Sequence, residues 1–272
     1  MADGWLTDVP HLEEERLSRA ISTGLLHGND PDRLRAIAVS LSAASPPDPQ
    51  DLGEGVRRQW LMLTAQLYGT GRQWRPLEQA LKMLWETGAW REELHQLFEL
   101  LAARAGHRLH PLPWALPVPL RVHGHYSRAE IEAAFGVLTD DAPWIHREGV
   151  LWNEASRTDL LFITLRKSEA LFSPSTRYRD LALGPNLFHW ESQSTTTVAS
   201  PTGQRYIHHS SRGTRVLLFV REQRKRGNIT EPFICIGFGT YENHEGERPM
   251  AIRWRLEREI PATWLPVMGL AI

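Results

Sequence analysis

The feature that most constrains this chain is the run His110-Pro111-Leu112-Pro113-Trp114-Ala115-Leu116-Pro117-Val118-Pro119. Four prolines at such spacing cannot sit in a helix interior or a central strand, because each lacks a backbone donor and has a fixed φ. The run therefore reads as a semi-rigid connector. It predicts a helical bundle over 1–109, a proline-rich linker over 110–118, and a β-rich domain over 119–272.

The pattern on either side supports that division. Leu12, Leu17, Ile21 and Leu25 recur near the helical period. Asp30-Pro31-Asp32 announces a second helix: Asp30 can cap free backbone N–H groups, Pro31 suits the first helical position and Asp32 complements the dipole. Ser45-Pro46-Pro47-Asp48-Pro49 breaks that helix. Three more are expected near 51–68, 76–87 and 89–105, the last with Leu94, Leu97, Phe98 and Leu101 on one face. Beyond the connector, Leu120–Tyr126 reads as a strand, and Ser127-Arg128-Ala129-Glu130 as a capping box opening a helix through Phe135. Further strands are expected at Gly149–Trp152, Asp159–Leu165, Leu187–Gln193, Thr214–Arg221, Phe233–Phe238 and Ala251–Leu256. The sum is an α+β chain whose second part is a mixed or antiparallel sheet, or a curved barrel.

The chain has 272 residues and a formal net charge of −1, so its overall charge points to no partner. The distribution is more informative. Residues 1–117 hold 12 Lys/Arg against 15 Asp/Glu, whereas residues 157–226 hold 12 against 5. A basic stretch in a neutral chain fits a phosphate-facing surface, or simply a solvated face. Cys235 is the lone cysteine, which excludes an internal disulfide or a Cys-cluster zinc site. No apolar stretch approaches the roughly 20 residues of a membrane span. Met1-Ala2-Asp3-Gly4 lacks the order of a signal peptide. A reducing cytoplasm and no membrane are therefore expected.

Catalytic patterns are poorly served. His208 and His209 are adjacent, and in a strand would face opposite ways. His123 and His125 could share a strand face, but no nearby carboxylate completes a metal site. Cys235 lies in the apolar run Phe233–Ile236, and no Walker A, G-x-G-x-x-G or G-x-S-x-G pattern occurs. Asp159, Lys167 and Glu191 form the best set for a metal-dependent nuclease, yet the acidic-x-Lys pair at a strand end is missing. No catalytic residue, metal or cofactor is expected, with the nuclease kept as an alternative.

Polar and aromatic content is densest over 159–209. Arg, Lys, Ser and Thr take phosphates, while aromatic rings stack on unstacked bases. The order Arg147–Trp152, Thr158–Glu169, Phe188-His189-Trp190-Glu191-Ser192-Gln193-Ser194 and Ser200-Pro201-Thr202-Gly203-Gln204-Arg205-Tyr206 resembles a family. Val216–Glu222 and His244–Met250 continue the likeness, which covers most of 119–262. It is the C-terminal domain of unknown function that follows superfamily II helicase modules. In some relatives a phospholipase-D-type nuclease precedes the helicase, forming a modification-dependent (type IV) restriction enzyme. The helical region resembles the segment joining helicase to terminal domain.

The resemblance implies a non-catalytic DNA-recognition module for modified cytosine in duplex DNA. Its implied partners are helicase and nuclease parts of the same or an associated chain, of which this would be an excised or separately encoded piece. A fold similar to SET- and RING-associated (SRA) or pseudouridine-synthase-like (PUA) readers is implied, with the base flipped into a pocket. The expected base pocket is Trp190, Tyr178, Ser192, Asp180 and Phe188. The expected backbone contacts are Arg166, Lys167, Arg177, Ser194, Thr195, Gln204 and Arg205, and Gly203 is expected to free a tight turn. Docking on the helicase as a protein-interaction module is the other alternative.

Overall fold

The computed structural model describes residues 11–106, 108–166 and 180–270, with the side chains of 11–14 left aside. It is an α+β chain of two compact units, 1–145 and 146–272.

The first unit is built from α1 (His11–Thr23), α2 (Pro31–Leu41), α3 (Glu54–Tyr68), α4 (Leu77–Glu86), α5 (Gly88–Arg104) and α6 (Arg128–Ala134). Two signals in the sequence act as expected. Asp30 caps α2 by accepting from the Arg33 N–H, and Pro31 opens the helix. Ser127 and Glu130 form a complete capping box on α6.

The proline run does not divide the chain. β1 (His110–Pro111) pairs antiparallel with β2 (Arg121–Val122), folding the run back on itself. Leu112 and Val118 within it and Leu120 just after it are buried. The segment after the run is tied to α2. The Asn29 side chain accepts from the His125 N–H at 2.7 Å, Asp30 accepts from the Tyr126 hydroxyl at 3.0 Å, and buried Arg33 pairs with buried Glu130 at 2.8 Å. These long-range contacts place the division between Ile145 and His146, not at 110–118. His123 stands at φ 73° in a turn, so it shares no strand face with His125, which lies in the short β3 (His125–Tyr126).

The second unit carries β4 (Val150–Asn153), β5 (Thr158–Arg166), β6 (Leu181–Gly184), β7 (Leu187–Glu191), α7 (Pro201–Ile207), β8 (Arg215–Gln223), β9 (Lys225–Arg226), β10 (Ile229–Thr230), β11 (Phe233–Glu245) and β12 (Ala251–Leu256). The main sheet runs β4-β5-β8-β11-β12-β7-β6. Along this path β5 pairs with β8 in parallel, and the ladders β4/β5, β8/β11, β11/β12, β12/β7 and β7/β6 are antiparallel. The sheet is mixed, as expected, but β4 and β6 end it as edges among the described residues, so it is not a closed barrel. β11 is the long spine, pairing with β8 in its first half and β12 in its second, with register shifts at Cys235/Gly237 and Tyr241/Asn243.

One face of this sheet buries Leu161, Ile163, Phe188, Trp190, Val216, Leu218, Val220, Ile252 and Trp254 in a single core. The alternation of Ile252, Trp254 and Leu256 in β12 is the period-2 signal of a half-buried strand. Residues 201–207 form a helix where the sequence reads as loop. Ser200 caps it by accepting from the Gly203 N–H, and Pro201 opens it. Gly203 is therefore not a turn residue. A Cβ there would lie 2.0 Å from the Thr197 carbonyl oxygen, so glycine lets the helix approach that backbone closely.

Candidate nucleic-acid interface

β7 has the alternating burial expected of it, with Phe188 and Trp190 on one face and His189 and Glu191 on the other. That face is core. Phe188 is fully buried and Trp190 is 5% exposed. The Trp190 ring meets Tyr206 edge-on at 5.5 Å and lies 6.5 Å from Trp254. Neither ring is available to a base, which corrects their expected place in the base pocket.

The expected base-edge readers are also occupied structurally. Asp180 accepts from the Glu191 N–H at 2.9 Å and so fastens the end of β7. Ser192 is fully buried; its hydroxyl accepts from the Met250 N–H and donates to the Gln193 carbonyl. Each satisfies a buried backbone group, the ordinary task of a buried polar side chain. Tyr178, Lys167 and Arg177 lie outside the described residues.

Arg205 does not face solvent phosphates. Its guanidinium is bidentate on Asp159, with Nε–Oδ2 2.7 Å and Nη2–Oδ1 2.8 Å, and it stacks over Trp152 with 4.4 Å to the ring centroid. Asp159 is fully buried. Burial pushes its carboxyl up from the ordinary range, and the Arg205 hydrogen bonds pull part of the way back. The bidentate geometry assigns the pair as ionic, in keeping with a raised Arg205. This pair joins β5 to α7, so it holds the fold. It also removes Asp159 from any metal-ligand set. Gln204 is similarly committed, donating to the Val198 carbonyl at 2.9 Å. Ser194 and Thr195 are exposed in the turn after β7.

Among the described residues no group of three His, Cys, Asp or Glu side chains is placed to hold a metal. Cys235 is buried, and burial pushes its thiol up to about 12, leaving it no nucleophile at neutral pH. His209, beyond the C-cap of α7, accepts the Tyr241 N–H on Nε2 at 3.0 Å. It too is structural. A cavity of about 280 Å³ lies in the first unit, bordered by Asp30, Arg33, Gln59, Trp114 and Arg121. Its charges face one another, since Arg121 pairs with Asp32 at 2.7 Å and Arg33 with Glu130.

One expected residue does belong to a cationic group. Arg166 ends β5, 72% exposed, opposite Gln223 of β8. There it pairs with Glu222 at 3.1 Å, and Glu222 in turn pairs with Arg226 at 3.1 Å. Arg226 reaches Glu231 at 2.7 Å. Partial burial raises the Glu231 carboxyl, but the hydrogen bonds from Arg226 and Gln223 outweigh it and leave it below its usual value. Arg221 anchors the cluster from beneath, bonded to Thr164 and the Glu231 carbonyl and lying 4.2 Å over the Phe233 ring.

Arg224 and Lys225 are exposed, and neither has an ion pair among the described residues. Arg166, Arg224, Lys225 and Arg226 thus gather over Arg221 at one end of the sheet, where Glu222 and Glu231 are the paired carboxylates among the described residues. Arg224–Arg226 fall within the basic segment 157–226 but outside the expected site residues. The usable signal was three cations followed by Gly227-Asn228, a turn dipeptide between two apolar strands.

These features define a protein with a helical unit and a mixed-sheet unit that exposes Arg166, Arg224, Lys225 and Arg226 at one sheet end. The chain belongs to the family described as Domain of unknown function (DUF3427), whose model matches residues 120–265. The match takes in α6 of the first unit and nearly all of the second. No curated protein matches the chain.

Proposed function

We propose that this chain is a DNA-recognition module, without catalytic groups of its own, that serves a helicase-containing, modification-dependent restriction enzyme. The observation that carries DNA binding is the convergence of exposed Arg166, Arg224, Lys225 and Arg226 at the β5/β8 end of the sheet. Arg166 and Arg226 are 72% and 70% exposed and pair with Glu222, itself 17% exposed, so duplex phosphates can reach both guanidinium groups from solvent. The enzyme context and the modified-cytosine target rest on the sequence resemblance.

Trp190 and Phe188 are core and supply no stacking ring, and this reading does not require flipping. A C5 methyl lies in the major groove and can be sensed there by apolar contact without leaving the stack. Binding of the chain to a labelled duplex, measured across a salt series, tests the proposal. Affinity should fall linearly with log salt as counterions are released, by a slope of about 0.9 per phosphate neutralised. Parallel series with plain, 5-methylcytosine and 5-hydroxymethylcytosine duplexes test the target, which predicts tighter binding to a modified one. Binding that ignores salt would favour protein docking, and Mg²⁺-dependent cleavage would restore the nuclease.

A further inference from the structure

Past Gln223 the two central strands leave the sheet. β9 pairs only with β10 among the described residues, through Arg226↔Ile229 and Lys225↔Thr230. The Glu231 N–H donates to the Arg224 carbonyl at 3.1 Å, continuing the ladder to the base. Gly227 takes the first turn position at φ 62°, which the left-handed region makes natural for glycine. The three residues from Arg224 to Arg226 extend roughly 10 Å at about 3.3 Å each.

All five residues from Arg224 to Asn228 are exposed. Hairpin tips usually carry small polar residues, yet here three successive cations are followed by glycine and an amide. The base is braced, because Glu231 bonds Gln223 and Arg226 while Arg221 ties β8 to β5. A stiff, cationic, two-stranded ribbon has the cross-section that a B-form major groove admits, about 12 Å wide and 8.5 Å deep. The deep, narrow major groove of A-form RNA does not admit it.

We infer that the 224–230 ribbon enters the major groove of duplex DNA. Arg224 and Lys225 take flanking phosphates, and Asn228 stands at the base edges. Adenine N6/N7 suits an asparagine amide. Arg166 grips the backbone beside the ribbon's base. The inference rests on the DNA-binding reading above and adds its site and groove.

The test uses the full chain with a short labelled DNA duplex, the same sequence as duplex RNA, and a DNA duplex whose cytosines carry glucosylated 5-hydroxymethyl groups filling the major groove. The variants are Arg224→Ala/Lys225→Ala and Asn228→Ala, at exposed positions where circular dichroism can verify the fold. The double variant should lower the salt slope by about 2. Asn228→Ala should weaken binding roughly 5- to 150-fold at its preferred site. The glucosylated DNA and the RNA should bind poorly, while netropsin in the minor groove should not displace the protein. Wild-type binding with an unchanged slope in the double variant would overturn the ribbon and leave the DNA reading standing. Tolerance of the glucosyl groups together with displacement by netropsin would move the site to the minor groove and overturn the inference. Equal binding of the RNA duplex would overturn it too. Absence of binding to any duplex would remove the DNA reading itself.

Discussion

At the scale of single residues, the main lesson is how differently arginines with similar sequence surroundings behave. Arg205 and Arg166 both follow apolar or polar stretches that resemble DNA-binding segments, but one closes on a buried carboxylate and the other projects into solvent. The deciding partner, Asp159, lies 46 residues from Arg205, beyond the reach of local pattern. Arg205→Ala should destabilise the fold by about 3 kcal/mol, since it leaves a buried charge unpaired. Loss of Arg205 also raises the Asp159 carboxyl further above its unfolded value. Folding then requires protonation or an unpaired buried charge, a cost absent below the unfolded carboxyl value and growing as pH rises from there toward the raised folded one. Urea melts should therefore show a larger deficit at pH 7 than at pH 5. A variant of full stability with weakened DNA binding would instead return Arg205 to the phosphate site.

At the scale of elements, most strands and helices are legible because their apolar periods are local. β7 is the instructive case. Its alternation correctly puts Phe188 and Trp190 on one face, but period alone cannot say what covers that face. Tyr206 from α7 and Trp254 from β12 cover it. α7 itself was missed because Ser200-Pro201-Thr202-Gly203 carries turn-forming residues, although Ser200 and Pro201 are equally a helix start. β11 runs on to Glu245, beyond the apolar signal that ends at Phe238, because backbone pairing with β12 sustains its polar half. Trp190→Ala should accordingly cost about 3–5 kcal/mol in denaturant or thermal melts, the range for a large aromatic removed from a core. DNA affinity of the folded fraction should stay unchanged. A Trp190→Ala protein of wild-type stability that has lost its preference among duplexes would put the ring back in a binding pocket.

At the scale of the whole chain, the α+β class follows from the order of patterns, whereas the boundary does not. Prolines report that 110–119 is neither helix interior nor central strand, and that much is correct. They do not report that Leu112, Val118 and Leu120 are buried, or that Asn29 and Asp30 bond residues nearly a hundred positions away. Function is legible to a similar degree. The charge asymmetry marks the segment that contains the cationic end, while the folding of 224–230 into a two-stranded ribbon is visible only in three dimensions. Amide hydrogen exchange of the full chain with and without a DNA duplex bears on that end most directly. Protection on binding is predicted over 221–233 and at the end of β5 near Arg166, with β7 and α7 unchanged. Protection confined to other surfaces, or none at a DNA concentration far above the dissociation constant, would contradict it.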